Sequence, residues 1–190
     1  MNLKKQKKSN KLYFYFLIFA VLLLITLQFD FQISQSLESI RTPFLNSVMA
    51  VFTSFFWQAL FIIAASAIVY LNSKKKVLRL WIGVAVSMAV SAILKMAVAR
   101  PRPFAEGISA LSSMIKDSYT TWNLSFPSNH AVFAFSILPF LPKKWFWLGF
   151  IVAFIVAFSR VYFGLHYLSD VVAGAALGLG ISWAAKKLLK

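Results

Sequence analysis

Uncharged apolar runs constrain this chain more than any other feature. Leu12 to Phe29 is 18 residues without a charge, and 32 uncharged residues separate Arg41 from Lys74. A helix needs about 17–20 apolar residues to cross a bilayer core. Only spans that satisfy their own backbone hydrogen bonds survive there, so runs of this length predict membrane helices. Charged residues make up 13% of the sequence and hydrophobic residues 60%. Soluble domains carry roughly one-quarter charged residues, so an ordinary soluble protein is excluded. The 190 residues suffice for one domain.

The chain is basic, with 20 Lys and Arg against 5 Asp and Glu, a net charge of +15. In a soluble protein that balance points to nucleic acid. Here the bases cluster at the ends of apolar runs, so membrane topology accounts for them and no nucleic-acid partner is expected. Cysteine is absent, which excludes disulfides, thiol nucleophiles and cysteine metal sites.

The predicted fold is all-α, an integral membrane six-helix bundle with a short interfacial helix between helices 1 and 2. Residues 1–11 form a basic cytoplasmic tail, and residues 12–190 form a single membrane domain. Helix 1 is Leu12 to Phe29. It has no small-residue cleavage site before Asp30, so it reads as a retained span and not a signal peptide. The interfacial helix falls within Asp30 to Asn46 and is ended by Thr42-Pro43. Helix 2 lies near Val48 to Leu71. Helix 3 runs from about Val77 to Val98 and stops at Arg100-Pro101-Arg102-Pro103, since proline disfavours helix at the residue before it. Phe104 to Phe126 reads as a loop long enough to act as a lid. Helix 4 is Pro127 to Leu141, helix 5 Trp145 to about Phe163, and helix 6 about His166 to Ala185.

Charge orients these helices. The N-terminal tail, the 2–3 loop, the 4–5 loop and the C-terminus hold most of the bases. The opposite face holds Arg41, Lys95, Arg100, Arg102, Lys116 and Arg160, together with all five acids, Asp30, Glu38, Glu106, Asp117 and Asp170. The positive-inside rule then puts both termini in the cytoplasm and the acid-bearing face outside.

Three polar clusters fall on that outer face. The first is Lys95 followed by Arg102-Pro103. The second is Pro127-Ser128-Asn129-His130. The third is Ser159-Arg160, then His166, then Asp170. His166 and Asp170 are four apart, one turn on a helix, and an Asp there fixes the tautomer of a His. Gly164 lies where the chain turns from one helix into the next. Permanent cations, hydroxyl donors and two histidines, without an acidic cage for a metal, suit an oxyanion of spread charge, above all phosphate. One His can attack phosphorus while the other protonates the leaving oxygen. His166, with its carboxylate, is the nucleophile in this reading, and His130, at a helix start, the general acid. Arg41 and Arg100 read as residues that hold lipid headgroups. Lys95 alone reads as a snorkelling lysine, and gains meaning only from its neighbours.

The spacings Lys95-x6-Arg102-Pro103, Pro127-Ser128-x-His130 and Ser159-Arg160-x5-His166-x3-Asp170 resemble the three-part motif of the type 2 phosphatidic acid phosphatase and vanadium haloperoxidase superfamily. The resemblance covers Lys95 to Asp170. It implies a helical core, a phosphohistidine intermediate and no metal or other cofactor. By motif position it implies phosphate binding by Lys95, Arg102, Ser128, the Asn129 backbone amide and Arg160. It also implies His130 as acid, His166 as nucleophile and Asp170 as its orienter. The family usually has Gly where this chain has Asn129, and the expectation is that Asn takes up a left-handed conformation there.

These observations predict a membrane lipid phosphatase acting on a lipid phosphate or diphosphate at the outer leaflet. Polyprenyl diphosphates, phosphatidic acid, phosphatidylglycerol phosphate and lipid A phosphates all fit, with the small size and outward site favouring a polyprenyl diphosphate. Two other classes remain. A vanadate-dependent haloperoxidase shares the motif, but the apolar spans disfavour it. A non-enzymatic membrane protein retaining the motif is disfavoured by the intact His166, Asp170 and His130.

Overall fold

The computed structural model describes residues 3–110 and 124–189, with side chains from residue 17 onward. Seven α-helices follow one another: α1 Leu3–Ser39, α2 Pro43–Thr53, α3 Phe55–Asn72, α4 Lys74–Val98, α5 Asn129–Ile137, α6 Lys143–Tyr162 and α7 Leu168–Leu188. A 3-10 turn, Pro103–Glu106, follows α4, and a second, Leu138–Phe140, prolongs α5. The all-α expectation holds, with no strand among the described residues. Five helices are long and apolar enough to cross a membrane: α1, α3, α4, α6 and α7. The expected fourth helix, Pro127 to Leu141, is observed as Asn129–Phe140 and belongs with the shorter apolar helices.

Two boundaries differ from the sequence expectation. Asp30 to Ser39 does not form a separate interfacial helix but continues α1. Nothing in that stretch breaks a helix, and the chain turns only at Ile40–Thr42. The short helix is instead Pro43–Thr53, with Pro43 in its first turn and the Thr42 side chain accepting from the Leu45 amide at 3.3 Å. The expected single helix 2 is therefore two, divided at Ser54. That residue is extended (φ −71°, ψ 148°) and its Oγ caps α3 by accepting from the Trp57 amide at 3.4 Å. The lid expected within Phe104–Phe126 lies largely outside the described residues.

The helices turn apolar side chains outward and small or polar ones inward. On α1, Leu17, Leu22, Leu24 and Ile25 are exposed while Thr26, Asp30 and Ser34, four apart, are buried. On α4 the buried face is Gly83, Ser87, Ser91 and Lys95, again at intervals of four. On α7 it includes Gly174, Gly178 and Ser182. Lipid tails are as apolar as leucine, so helices in a bilayer associate through close packing and hydrogen bonds between small residues. Helix α7 is the hub, packed against α1, α4, α5 and α6. Gly178 shows why: a Cβ there would lie 2.4 Å from the Val132 carbonyl oxygen of α5.

Candidate active site

The site forms where the ends of α4, α6 and α7 meet the start of α5 and the break between α2 and α3. Helix α4 ends at Ala99, whose left-handed backbone (φ 50°) turns the chain back toward α7. Helix α6 ends with Arg160 in its last turn. The chain then reverses through Gly164 at φ 69°, as the sequence predicts, where a Cβ would also lie 3.0 Å from the Ser109 carbonyl oxygen. His166 stands in this turn and not within α7, which starts at Leu168 with Tyr167 as its N-cap. The expected helix start at His166 is thus corrected by two residues. Asp170 accepts the Tyr167 amide at 2.8 Å, a bond that caps the start of α7 and fixes the carboxylate beside His166.

Six of the predicted residues line one cavity of about 920 Å³: Lys95, Arg102, Asn129, His130, Arg160 and His166. Ser128 and Asp170, both fully buried, are not themselves among the cavity's lining. The His166 Nδ1 lies 3.6 Å from Asp170 Oδ2, which leaves Nε2 as the nitrogen opposite the carboxylate. Burial, then the cations Arg102, Arg160 and Lys95, hold the His166 pKa well below its usual value, so its ring is neutral. The His130 Nε2 lies 3.2 Å from the Thr53 carbonyl oxygen. A carbonyl only accepts, so Nε2 carries the hydrogen and Nδ1 is the nitrogen left for proton exchange. Arg160 donates to Thr53 Oγ1 at 2.5 Å and Arg102 to the Leu165 carbonyl at 3.2 Å. The Ser128 Oγ is buried without a hydrogen-bond partner among the described residues, and the Ser128 amide donates to the Asp170 carbonyl at 3.0 Å.

Lys95 and Asn129 take up roles the sequence does not reveal. The Lys95 Nζ donates to the carbonyls of Leu124 and Pro127 at 2.9 Å each and of Ser125 at 3.4 Å. It clamps the turn before α5 and contributes charge to the cavity. Asn129 is the first residue of α5 and not left-handed; Ala99 is the positive-φ non-glycine among the described residues. Its Oδ1 accepts from Ser91 Oγ at 2.7 Å, which anchors the side chain to α4.

Two arginines assigned to lipid headgroups are structural. Arg100 donates to Asp170 Oδ1 at 2.9 Å and to Asp30 Oδ2 at 2.9 Å, and stacks over the Tyr167 ring at 4.1 Å. Asp30 also accepts from the Ser169 amide at 2.9 Å and from its hydroxyl. Arg41 donates to the carbonyls of Tyr162 at 2.9 Å and Ser109 at 2.6 Å. Thr53, Gln58, Ser91 and Asp30 are the site's residues that motif reading missed. Asp30 and Ser91 had a signal, the polar residue every fourth position on an apolar helix. A glutamine in an apolar span was a signal for Gln58.

Residues 76–190 match the PAP2 superfamily, and the chain belongs to it. Over 71 residues it is 49% identical to the bacitracin transport permease protein BcrC of Bacillus licheniformis, covering 34% of this chain and 35% of that one. Over 131 residues it is 30% identical to an undecaprenyl-diphosphatase of Sulfolobus acidocaldarius, covering 66% of this chain and 61% of that protein. The matched stretches therefore span less than two-thirds of either relative. Among solved structures, a transmembrane PAP2-type phosphatidylglycerolphosphate phosphatase from Bacillus subtilis superposes with a TM-score of 0.71 at 26% identity, over 94% of each chain. The family and the five apolar helices make this a multi-pass membrane protein.

Proposed function

We propose that this protein is a lipid phosphatase that works through a phosphohistidine, without metal or other cofactor. The observation that carries the reading is the convergence of Lys95, Arg102, Arg160, His130 and His166 on a shared cavity, continued by an apolar wall of Ala59, Ile62, Met88 and Phe133. Cations at one end suit a phosphoryl group, and apolar side chains at the other suit a lipid tail.

The His166 Nε2 attacks phosphorus in line with the leaving oxygen. The P–N bond forms as the P–O bond breaks, and His130, protonated on Nδ1, gives its proton to the leaving oxygen. Arg102, Arg160, the Ser128 hydroxyl and the first amides of α5 bind the equatorial oxygens, with Lys95 adding charge. Asp170 steadies the charge that develops on His166, closing the 3.6 Å gap as substrate binds. Water then attacks the phosphohistidine and gives a proton to the neutral His130. The P–N bond breaks, and phosphate leaves.

We also assign the termini, including the basic tail 1–11, to the cytoplasm and the site to the outer face, with residues 12–190 acting as one domain. Among lipid phosphates a polyprenyl diphosphate is the favoured substrate, in line with the name of the Sulfolobus relative. The decisive experiment measures phosphate release by the purified chain from prenyl diphosphate, phosphatidic acid and phosphatidylglycerol phosphate, with EDTA present. Turnover that resists EDTA, is blocked by vanadate and is lost with the labelled phosphoenzyme in His166→Ala is expected. No release from any of these lipids, or release only on adding metal, would sink the reading, and bromide oxidation with vanadate present would substitute the haloperoxidase.

A further inference from the structure

Between the cations and the apolar wall, the cavity carries two primary amides to which the catalytic scheme gives no role. Gln58 lies on α3, one turn from the Ser54 break, in a helix that is otherwise nearly all apolar. It lines the cavity and is only 8% exposed. Its Nε2 has no hydrogen-bond partner among the described residues. An unpartnered buried amide weakens a fold, and in a membrane helix a polar side chain facing the interior marks a ligand path. Asn129 lines the same cavity from α5. Ser91 donates to its Oδ1, which fixes the amide orientation and leaves the Nδ2 hydrogens for the cavity.

Both amides are carried by the elements that hold His130. Asn129 precedes it in the first turn of α5. The Phe55 ring, three residues before Gln58, packs on the His130 ring at 5.9 Å between centroids. Depth can be followed along the helices. On α4 the lining residues run from Lys95 to Ala92 to Met88, and on α3 from Ser54 to Gln58 to Ile62. The amides thus stand one step beyond the cations, before the wall becomes wholly apolar. A lipid whose terminal phosphoryl meets Arg102 and Arg160, and whose tail lies along Met88 and Ile62, puts its linking group at this step.

We propose that Asn129 and Gln58 form a second phosphate subsite, which selects lipid diphosphates over lipid monophosphates. Four amide hydrogens and no charge suit the bridging phosphate. Its oxygens only accept, and it must be released as part of the leaving group, so neutral donors hold it without trapping the product. The Asn129 side chain becomes a specificity residue. The assignment rests on the phosphatase reading and deepens it.

The test compares kcat/KM for farnesyl diphosphate and farnesyl monophosphate, in the full chain and in Asn129→Gly, Gln58→Leu and Ser91→Ala. The ratio of the two constants does not depend on the fraction of enzyme that is folded, so a weakened variant remains informative. The wild-type chain is expected to favour the diphosphate. The ratio is expected to fall about tenfold in Asn129→Gly and in Gln58→Leu, the scale of one lost hydrogen bond to a charged group. A smaller fall is expected in Ser91→Ala, where the amide is present but no longer oriented. A ratio unchanged in both Asn129→Gly and Gln58→Leu, or a wild-type preference for the monophosphate, overturns the subsite and leaves the phosphatase reading intact. Hydrolysis of neither substrate overturns both.

Discussion

Asp170 is fully buried and both its oxygens are committed, one to Arg100 and one to the Tyr167 amide. Its position beside His166 is therefore set by groups that never reach the cavity. Arg100→Ala would leave Asp30 and Asp170 buried without their shared cation. Because Arg100 itself is partly exposed, the expected loss of stability is about 2–3 kcal/mol, below the range for a wholly buried pair. A small displacement of Asp170 should also lower kcat by roughly 10²-fold with little change in KM. Unfolding temperature and steady-state rates check this, and a normal kcat in a destabilised Arg100→Ala would reduce Arg100 to a structural role. A second expectation concerns pH. Burial and neighbouring cations lower the His166 pKa from 6.5, so the neutral form that the proposed attack requires persists into acid. The acidic limb of kcat/KM for the free enzyme should lie below pH 6.5. The same depression costs stability as pH falls through 6.5, because the unfolded chain then binds a proton that the folded chain refuses. An acidic limb above 6.5 would contradict the burial of His166. That Arg102, His130, Arg160 and His166 would gather around one cavity was legible, because polar residues spaced at the ends of apolar helices on one face have one place to meet. The Arg100 bridge was not, since its partners are 70 residues away on either side and position alone gave it the role of a headgroup anchor.

The helices illustrate what an apolar pattern can and cannot disclose. Length and hydropathy located α1, α3, α4, α6 and α7, because a bilayer demands continuous apolar runs. They missed the break at Ser54, where one hydroxyl caps a helix that the apolar pattern would carry straight through. That break matters because it leaves the carbonyl and hydroxyl of Thr53 facing His130 and Arg160. Helix packing depended on small residues, which the sequence marked on α7 but which can be ranked only by their surroundings. At Gly174 a Cβ would lie 2.7 Å from the Ser128 carbonyl oxygen, while at Gly180 nothing lies within 4 Å. Gly178→Ala should destabilise by roughly 1–3 kcal/mol, since backbone must move to admit the methyl. Gly180→Ala should stabilise by up to about 1 kcal/mol through helix propensity. Gly174→Ala should in addition lower activity, because the backbone it displaces belongs to Ser128. Thermal unfolding in detergent together with phosphate release separates the three; equal behaviour of Gly178→Ala and Gly180→Ala would refute the close α5–α7 contact.

At the scale of the whole molecule, charge among the described residues divides by end. Arg41, Lys95, Arg100, Arg102 and Arg160 gather at the end where α4 and α6 finish and α5 and α7 begin. The acids Asp30, Glu38, Glu106 and Asp170 lie there with them, bound to Arg100, Ser109, Tyr167 and Ser169. Lys74, Lys75, Lys76 and Arg79 begin α4, Lys143 and Lys144 begin α6, and Lys186 and Lys187 close α7 at the opposite end. There Lys186 donates to the Pro139 carbonyl. The acidic partners and the cavity thus share one end, while the other is almost purely basic. By the positive-inside rule the basic end unpaired with acids is the one expected in the cytoplasm, because Lys and Arg near helix ends set orientation and Asp and Glu count for little. Single cysteines report this directly. Position 73 lies between α3 and α4 at the basic end, and position 105 is exposed in the 3-10 turn at the cavity end. On intact cells an impermeant thiol reagent is expected to label Ala105→Cys and not Ser73→Cys, with both labelled once the membrane is opened. The natural chain has no cysteine, so each signal belongs to one site. Labelling of position 73 alone would invert the topology and put the cavity on the cytoplasmic face. The five bases described at the cavity end would then be inside and the larger basic cluster outside, against the charge bias that otherwise governs insertion.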